Sequence, residues 1–545
     1  MDNQTEVDGR GRNADRSVAF MVTSVFFYFV WFPASIFAGR VPGDIGDGRF
    51  NLYVLEHVTN WSKGNAELFS PEIFWPLQNT ALFSELYLGS FYFYSVPRYL
   101  GFGMLESFTI WFYSGLLLSF FAAYIVAQRL GFNRAYSALV GVVFTCSIPA
   151  VALTSGHAQL VHRWYVPFAL WAVIAPEEYF PNVCKRVTYF LTTISIGLLL
   201  SPNLAVLVLV YCCLLGIAMK GLPYLYGNEK KLLLHSGGSY LLFSSRAFAK
   251  FRKGIPAAQF VLMALSLYLM YRYWDNAKTF GITRGSDEIL RYSPDLNSLL
   301  VGHGSRLWGW LPRVIGAQAN NEQTLFFGIS LTTLAVLGAT IAKNKKDIIG
   351  QSLAFATVSA LMLLIKVESF SFFAFVAPYM PGLSSIRTPG RMVVIFSFVV
   401  GILVAIALRE LREKRTGRTV AAAVLILMLF SDMVFQAPKS SETVWLDKPF
   451  EISTEFLALK DVDTYDAFLL LDTEGQTWWH TDLDAMLASQ IIEIPTVNGY
   501  SGFTPFERIW REDCNAASTW IEGMEMLKQS NILILGSNCS NDSPG

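Results

Sequence analysis

Residues 187–219, VTYFLTTISIGLLLSPNLAVLVLVYCCLLGIAM, decide the fold. The run is apolar almost throughout and too long for one crossing of a ~30 Å hydrocarbon layer, which takes ~20 residues. It is interrupted at Ser201, Pro202 and Asn203. Proline carries no backbone N–H, so a hairpin there divides the stretch into two spans, 187–201 and 202–219. Working outward, comparable runs lie near 18–38, 107–127, 135–153, 160–176, 256–273, 324–342, 348–366, 391–408 and 419–436, about eleven spans in all. The composition agrees: 53% of residues are hydrophobic and 15% charged, where a soluble domain carries roughly 25% charged residues. The expected fold class is mainly α, a polytopic transmembrane helix bundle. Lys plus Arg equals Asp plus Glu, 42 each, so nothing points to a nucleic-acid partner.

Charge placement sets the orientation. With residues 1–17 in the cytoplasm, Arg10, Arg12 and Arg16 fall inside, as do Arg129, Arg134, Lys185 and Arg186. Lys220 to Lys253, Lys343 to Lys346 and Arg409 to Arg418 follow on the same side. These segments hold 22 of the 42 Lys and Arg in about 90 residues, the bias that the positive-inside rule describes. The amino terminus is therefore expected in the cytoplasm and the carboxyl terminus outside. The first apolar run lacks a small-residue cleavage site, so it reads as a retained anchor. The organisation is a tail at 1–17, a membrane domain at 18–436 with large outer loops at 39–106 and 274–323, and an outer domain at 437–545.

In the first outer loop Leu52, Leu55, Val58 and Trp61 recur every three residues. That spacing makes a helix, either lying in the membrane interface or buried against the spans. The tail alternates Ala467–Leu471, a helical pattern from Leu483 to Ile491, and Ile532–Leu535, which reads as a small mixed α/β unit. Only Cys514 and Cys539 face the oxidising side; they either remain thiols or close a disulfide over 24 intervening residues, contributing about 3 kcal/mol.

The chemistry-bearing stretch is Gly43-Asp-Ile-Gly-Asp-Gly-Arg-Phe-Asn51. Asp44 and Asp47 sit on a glycine-rich turn just beyond span one. A partly desolvated carboxylate there can act as a general base or chelate a divalent cation such as Mg or Mn. Alternatively, Asp47 caps the helix that follows.

The acidic outer loop, the helix carrying Leu55, Glu56 and His57, the Gly156-His-Ala-Gln-Leu160 segment and the external tail together resemble the GT-C glycosyltransferase superfamily over roughly residues 18–440. The resemblance implies an integral membrane enzyme taking a sugar from a polyprenyl-phosphate carrier. It implies further that an acid of the first outer loop, here Asp47 or Asp44, is the base or metal ligand. A continuous Asp-Asp pair and a Trp-Trp-Asp signature are missing from the sequence.

A site facing outward without a phosphate-cradling glycine loop needs a donor already carried across the bilayer, and a lipid phosphate needs cations. Arg387 and Arg391 in Ser384-Ser-Ile-Arg-Thr-Pro-Gly-Arg-Met392, with Arg284 and Arg291, are the candidates. Against this, Arg391 can snorkel or pair with Glu368. Glu56, His57, His157, His162 and Asn203 are candidate pocket residues, though polar groups near His162 and Arg163 can equally satisfy helix ends. Asn498 and Tyr500, with Trp478 and Trp479, are candidate acceptor contacts, or interface aromatics.

The expected function is a multi-pass glycosyltransferase of the plasma (inner) membrane. It would move a sugar from polyprenyl phosphate to a glycan, lipid or protein acceptor on the outer face. The alternatives are a transporter or flippase of a lipid-linked glycan, and a non-catalytic assembly factor of the same fold. Neither an internal repeat nor mid-span charges favour the transporter.

Overall fold

The computed structural model describes residues 40–536 except 181, 226–255, 306, 318–321, 381, 414–419, 421–422, 424–439, 443, 460–463, 472–476 and 507–512. Span 18–38 and nearly all of 419–436 lie outside the described residues. The described residues are mainly helical, with two small two-stranded sheets. It forms two compact units: residues 112–269 with 283–438, and residues 39–111 with 270–282 and 439–545.

Among the described residues four helices are long and apolar enough to cross a membrane: Met104–Arg129, Val183–Leu200, Pro202–Tyr224 and Pro389–Glu413. The break at Ser201 is therefore real, and Pro202 opens the second of the two central helices. The expected span 135–153 is instead two helices, Arg134–Cys146 and Ile148–Gly156, bent by 41°. Pro149 explains the bend, since its ring and missing N–H break the i to i−4 ladder. The span expected at 160–176 shrinks to Tyr165–Ile174, with 10 residues. Ile329–Asn344 and Ile348–Leu364 are apolar but also short, at 16 and 17 residues. Ala257–Thr279 is long enough, yet Arg272, Asp275 and Lys278 polarise its second half. Among the described residues the count of membrane-length apolar helices is thus four, or five with the bent pair, against about eleven expected from hydropathy alone.

Within the first unit the Val393–Glu413 helix is buried from Val393 to Leu408. It packs on Ile329–Asn344 and Arg134–Cys146. Glycines permit the close approach: a Cβ on Gly338 would lie 2.0 Å from the Leu403 carbonyl oxygen, and one on Gly401 would lie 3.2 Å from Val140 Cα. Small residues at such crossings are how apolar helices gain van der Waals contact. The bend at Ser147 leaves the last carbonyls of Arg134–Cys146 without helical partners. Buried Arg163 donates from Nη2 to the Phe144 and Thr145 carbonyls at 3.1 and 3.2 Å.

The second unit joins residues 39–111 to the carboxyl-terminal segment from 439. Arg40–Pro42 pairs antiparallel with Ser440–Glu442, and Ala467–Leu470 pairs parallel with Ile532–Leu535. The tail's three expected pieces are present as a strand at Ala467–Leu470, a helix at Trp478–Ile492 and a strand at Ile532–Leu535. Ile452, Phe456, Phe468, Ala485 and Ala488 form its apolar core. The helix expected from Leu52, Leu55 and Val58 spans Asp47–Ser62. It is buried continuously from Gly48 to Thr59 and packs on the Tyr92–Tyr99 and Trp478–Ile492 helices, so its cover comes from these elements rather than from the spans expected to bury it. Cys514 is disulfide-bonded, while Cys146, Cys184, Cys212 and Cys213 are free; Cys539 lies outside the described residues.

Candidate active site

The Asp47–Ser62 helix starts straight from the glycine-rich turn, so its first N–H groups need acceptors. The residue at the cap position is Gly46, which has no side chain to offer. Asp44 takes that role from two residues upstream: its Oδ1 accepts from the N–H of Gly46 at 3.1 Å and of Gly48 at 3.2 Å. The capping role considered for Asp47 thus belongs to Asp44. Asp47 occupies the first helical position, half-buried, and its Oδ1 accepts from the Tyr500 hydroxyl at 2.8 Å.

Aromatic rings wall this turn. A Cβ on Gly46 would touch Trp479 at 3.5 Å, and one on Gly48 would meet Trp445 at 2.5 Å, so glycine is required at residue 48. The Tyr500 ring meets Phe50 edge-on at 5.7 Å and Trp478 at 6.0 Å. Trp478 is 42% exposed. One turn into the helix, Arg49 forms a buried ion pair with Asp484 of the Trp478–Ile492 helix. Burial pushes the Asp484 carboxyl upward, and Arg49 pulls it back in part.

Other candidates in this unit hold structure. Glu56 accepts a two-pronged bond from Arg98, Nε to Oε2 and Nη2 to Oε1, both at 2.9 Å, and a third bond from the Tyr94 hydroxyl. His57 donates from Nε2 to the Leu68 carbonyl at 3.1 Å, and burial holds its pKa below the usual histidine range. Asn498, fully buried, matches the edge of the Ala467–Leu470 strand: its Oδ1 accepts from Leu470 N–H at 2.7 Å and its Nδ2 donates to the Leu470 carbonyl at 3.0 Å. Among the described residues no three His, Cys, Asp or Glu side chains gather to hold an ion.

The first unit assembles a second cluster. Arg391 is 9% exposed and donates from Nη2 to Glu322 Oε1 at 3.1 Å. The same oxygen lies 3.0 Å from His157 Nε2, and Arg391 Nη2 lies 3.4 Å from that nitrogen. The partner considered for Arg391, Glu368, gives way to Glu322. Burial alone would raise the Glu322 pKa, but His157, Arg391 and Arg387 outweigh it and hold the carboxyl at about 2. Arg387 is half-buried, its guanidinium 4.7 Å above the Tyr292 ring. Arg284 pairs with Glu288 at 2.7 Å, and Arg291 is exposed near the end of the Ser286–Tyr292 helix. His162 is buried with its ring against Gly115, and Asn203 is half-buried at the start of the Pro202–Leu225 helix.

Sequence reading missed Glu322, Trp445 and the Arg49–Asp484 pair. Glu322 carries one faint signal, a lone acid two residues before the apolar run that starts at Thr324. The other two offer none, because their partners are hundreds of residues away.

No protein-family model matches the chain, and no curated protein matches its sequence. Two solved structures of an Archaeoglobus fulgidus oligosaccharyltransferase are similar to it. The apo form aligns with a TM-score of 0.46 and 12% identity. The form tethered by a disulfide to an acceptor peptide containing the NVT sequon aligns with a TM-score of 0.49 and 12% identity. Each alignment covers 89% of this chain and 64% of the other, so the chain spans less than two thirds of the length of the proteins it matches.

Proposed function

We propose that this protein is a membrane glycosyltransferase that moves a sugar from a polyprenyl-phosphate carrier to an acceptor hydroxyl on the non-cytoplasmic face. The observation that carries the reading is Asp47: a half-buried carboxylate at a helix amino terminus, aimed by the Tyr500 hydroxyl and bordered by aromatic rings. In the proposed step Asp47 accepts the proton of the acceptor hydroxyl as that oxygen bonds to the anomeric carbon. The bond from that carbon to the phosphate oxygen breaks, and its electron pair leaves with the lipid phosphate. Tyr500 fixes the rotamer of the base, and Asp44 fixes the turn that presents it.

Arg387 is the better phosphate ligand of the two paired arginines. Its guanidinium is stacked on Tyr292 and so pre-oriented, whereas Arg391 is already held by Glu322 and His157. We assign Arg391 to fixing the loop before the Val393–Glu413 helix. A membrane chain with apolar helices, basic linkers and no phosphate-cradling loop supports a lipid-borne donor. The acceptor remains a glycan, a lipid or a protein in this reading.

The test is transfer by the purified protein from synthetic polyprenyl-phosphate sugars bearing glucose, mannose or arabinose, to endogenous envelope acceptors. Asp47→Asn is expected to lower transfer by about 10²-fold or more. Full transfer by Asp47→Asn would overturn the base assignment, and no transfer by the parent from any donor would overturn the function.

A further inference from the structure

The second unit displays an apolar face that sugar transfer does not use. On the Tyr92–Tyr99 helix and the turn after it, Tyr92, Val96, Tyr99, Leu100 and Phe102 are all exposed, Leu100 to 73%. In the helix these residues recur at four- and three-residue steps and so share one side, while Tyr94, Ser95 and Pro97 are buried on the other. The face itself carries no charge.

The turn is built to hold this display. Gly101 has φ +90°, a conformation that glycine adopts without steric cost. Phe102 N–H donates to the Pro97 carbonyl at 3.1 Å, and Arg98 Nη1 donates to the Phe102 carbonyl at 2.8 Å. Arg98 is itself anchored by its fork to Glu56, so Leu100 and Phe102 project from a fixed scaffold rather than folding back. Beside them lie Tyr99, whose hydroxyl bonds Ser62 Oγ at 2.7 Å, and Lys63, 5.8 Å from the Tyr99 ring.

We propose that this face is a membrane-interface anchor, seated in the headgroup and upper acyl region of the bilayer that the next helix enters. Continuity of the chain identifies the occupant. Met104–Arg129, one of the helices fit to cross a membrane, begins two residues after Phe102. A face two residues before such a helix lies within a turn or two of where the crossing starts, since 26 residues exceed the ~20 needed only slightly. Its make-up suits that zone: tyrosines with a polar tip and an apolar body, aliphatic side chains to bury, and Lys63 at headgroup level.

The full chain, reconstituted in phosphatidylcholine and phosphatidylglycerol vesicles, would carry p-benzoylphenylalanine in place of Leu100 or, separately, Val96. Leu457, 59% exposed on the Asp447–Leu457 helix, serves as the control position. After irradiation, mass spectrometry is expected to find lipid adducts at residues 96 and 100 at about tenfold or more over residue 457. Chain-to-chain dimers in place of lipid adducts, equal labelling at residue 457, or no lipid adduct at either position would overturn the proposal. None of these outcomes depends on whether the protein transfers sugar.

Discussion

Two aspartates three residues apart do different work, and the difference is one of backbone geometry. Asp44 lies before the helix, where its side chain folds over the unpaired N–H groups of Gly46 and Gly48. Asp47 lies inside the first turn, where its side chain points away from those donors and toward Tyr500. Replacing Asp44 by Ala should therefore cost about 1 kcal/mol of stability, read as a lower unfolding midpoint in detergent. Asp47→Asn should leave that midpoint nearly unchanged while removing activity; equal losses of stability in both variants would contradict the division of labour. The sequence already singled out both carboxylates, but their order of roles depended on which residue entered the helix first. The same limit applied to Arg391: an acid partner was foreseeable, and only the fold replaced Glu368 with Glu322.

The Asp47–Ser62 helix shows how far a single element can be read. Its existence followed from Leu52, Leu55 and Val58 at helical spacing. Its setting did not, because the spacing marks one apolar side and is silent on what covers the other. Trp445 on Gly48, Tyr94 and Arg98 on Glu56, and Asp484 on Arg49 cover the polar remainder. The Arg49–Asp484 pair is the sharpest test of that packing. Arg49→Met strands a buried carboxylate and should lower stability by about 3 kcal/mol, whereas the Arg49→Met, Asp484→Leu double variant should recover much of the loss. Thermal unfolding of both variants beside the parent checks this, and a double variant no better than the single would refute it.

For the molecule as a whole, the two units carry separate acid sensitivities. His57 has a folded pKa held below 6.5 by burial, so its contribution is complete above pH 6.5 and is lost as pH falls from there. Glu322 has a folded pKa of about 2 against 4.5, so its contribution is complete above pH 4.5 and is lost between pH 4.5 and 2. Asp484 and Glu72 are shifted upward, mainly by burial, and gain on acidification, which offsets part of the loss. The difference between parent and Glu322→Gln isolates the cluster: a gap in unfolding midpoint above pH 4.5 should close toward pH 2. A gap independent of pH would mean that Glu322 is not ionised in the folded protein. By itself the sequence determined what is local and periodic: a helical, membrane-suited chain, the break at Pro202, the strand and helix pieces of the tail, and a carboxylate turn opening a helix. The tertiary structure alone decided which apolar runs are full-length helices, that the carboxyl-terminal segment shares a unit with residues 39–111, and which partners hold Asp47, Arg49 and Arg391. Hydropathy and spacing report on neighbours within a few turns, whereas these contacts join residues tens to hundreds apart, and no short-range pattern encodes them.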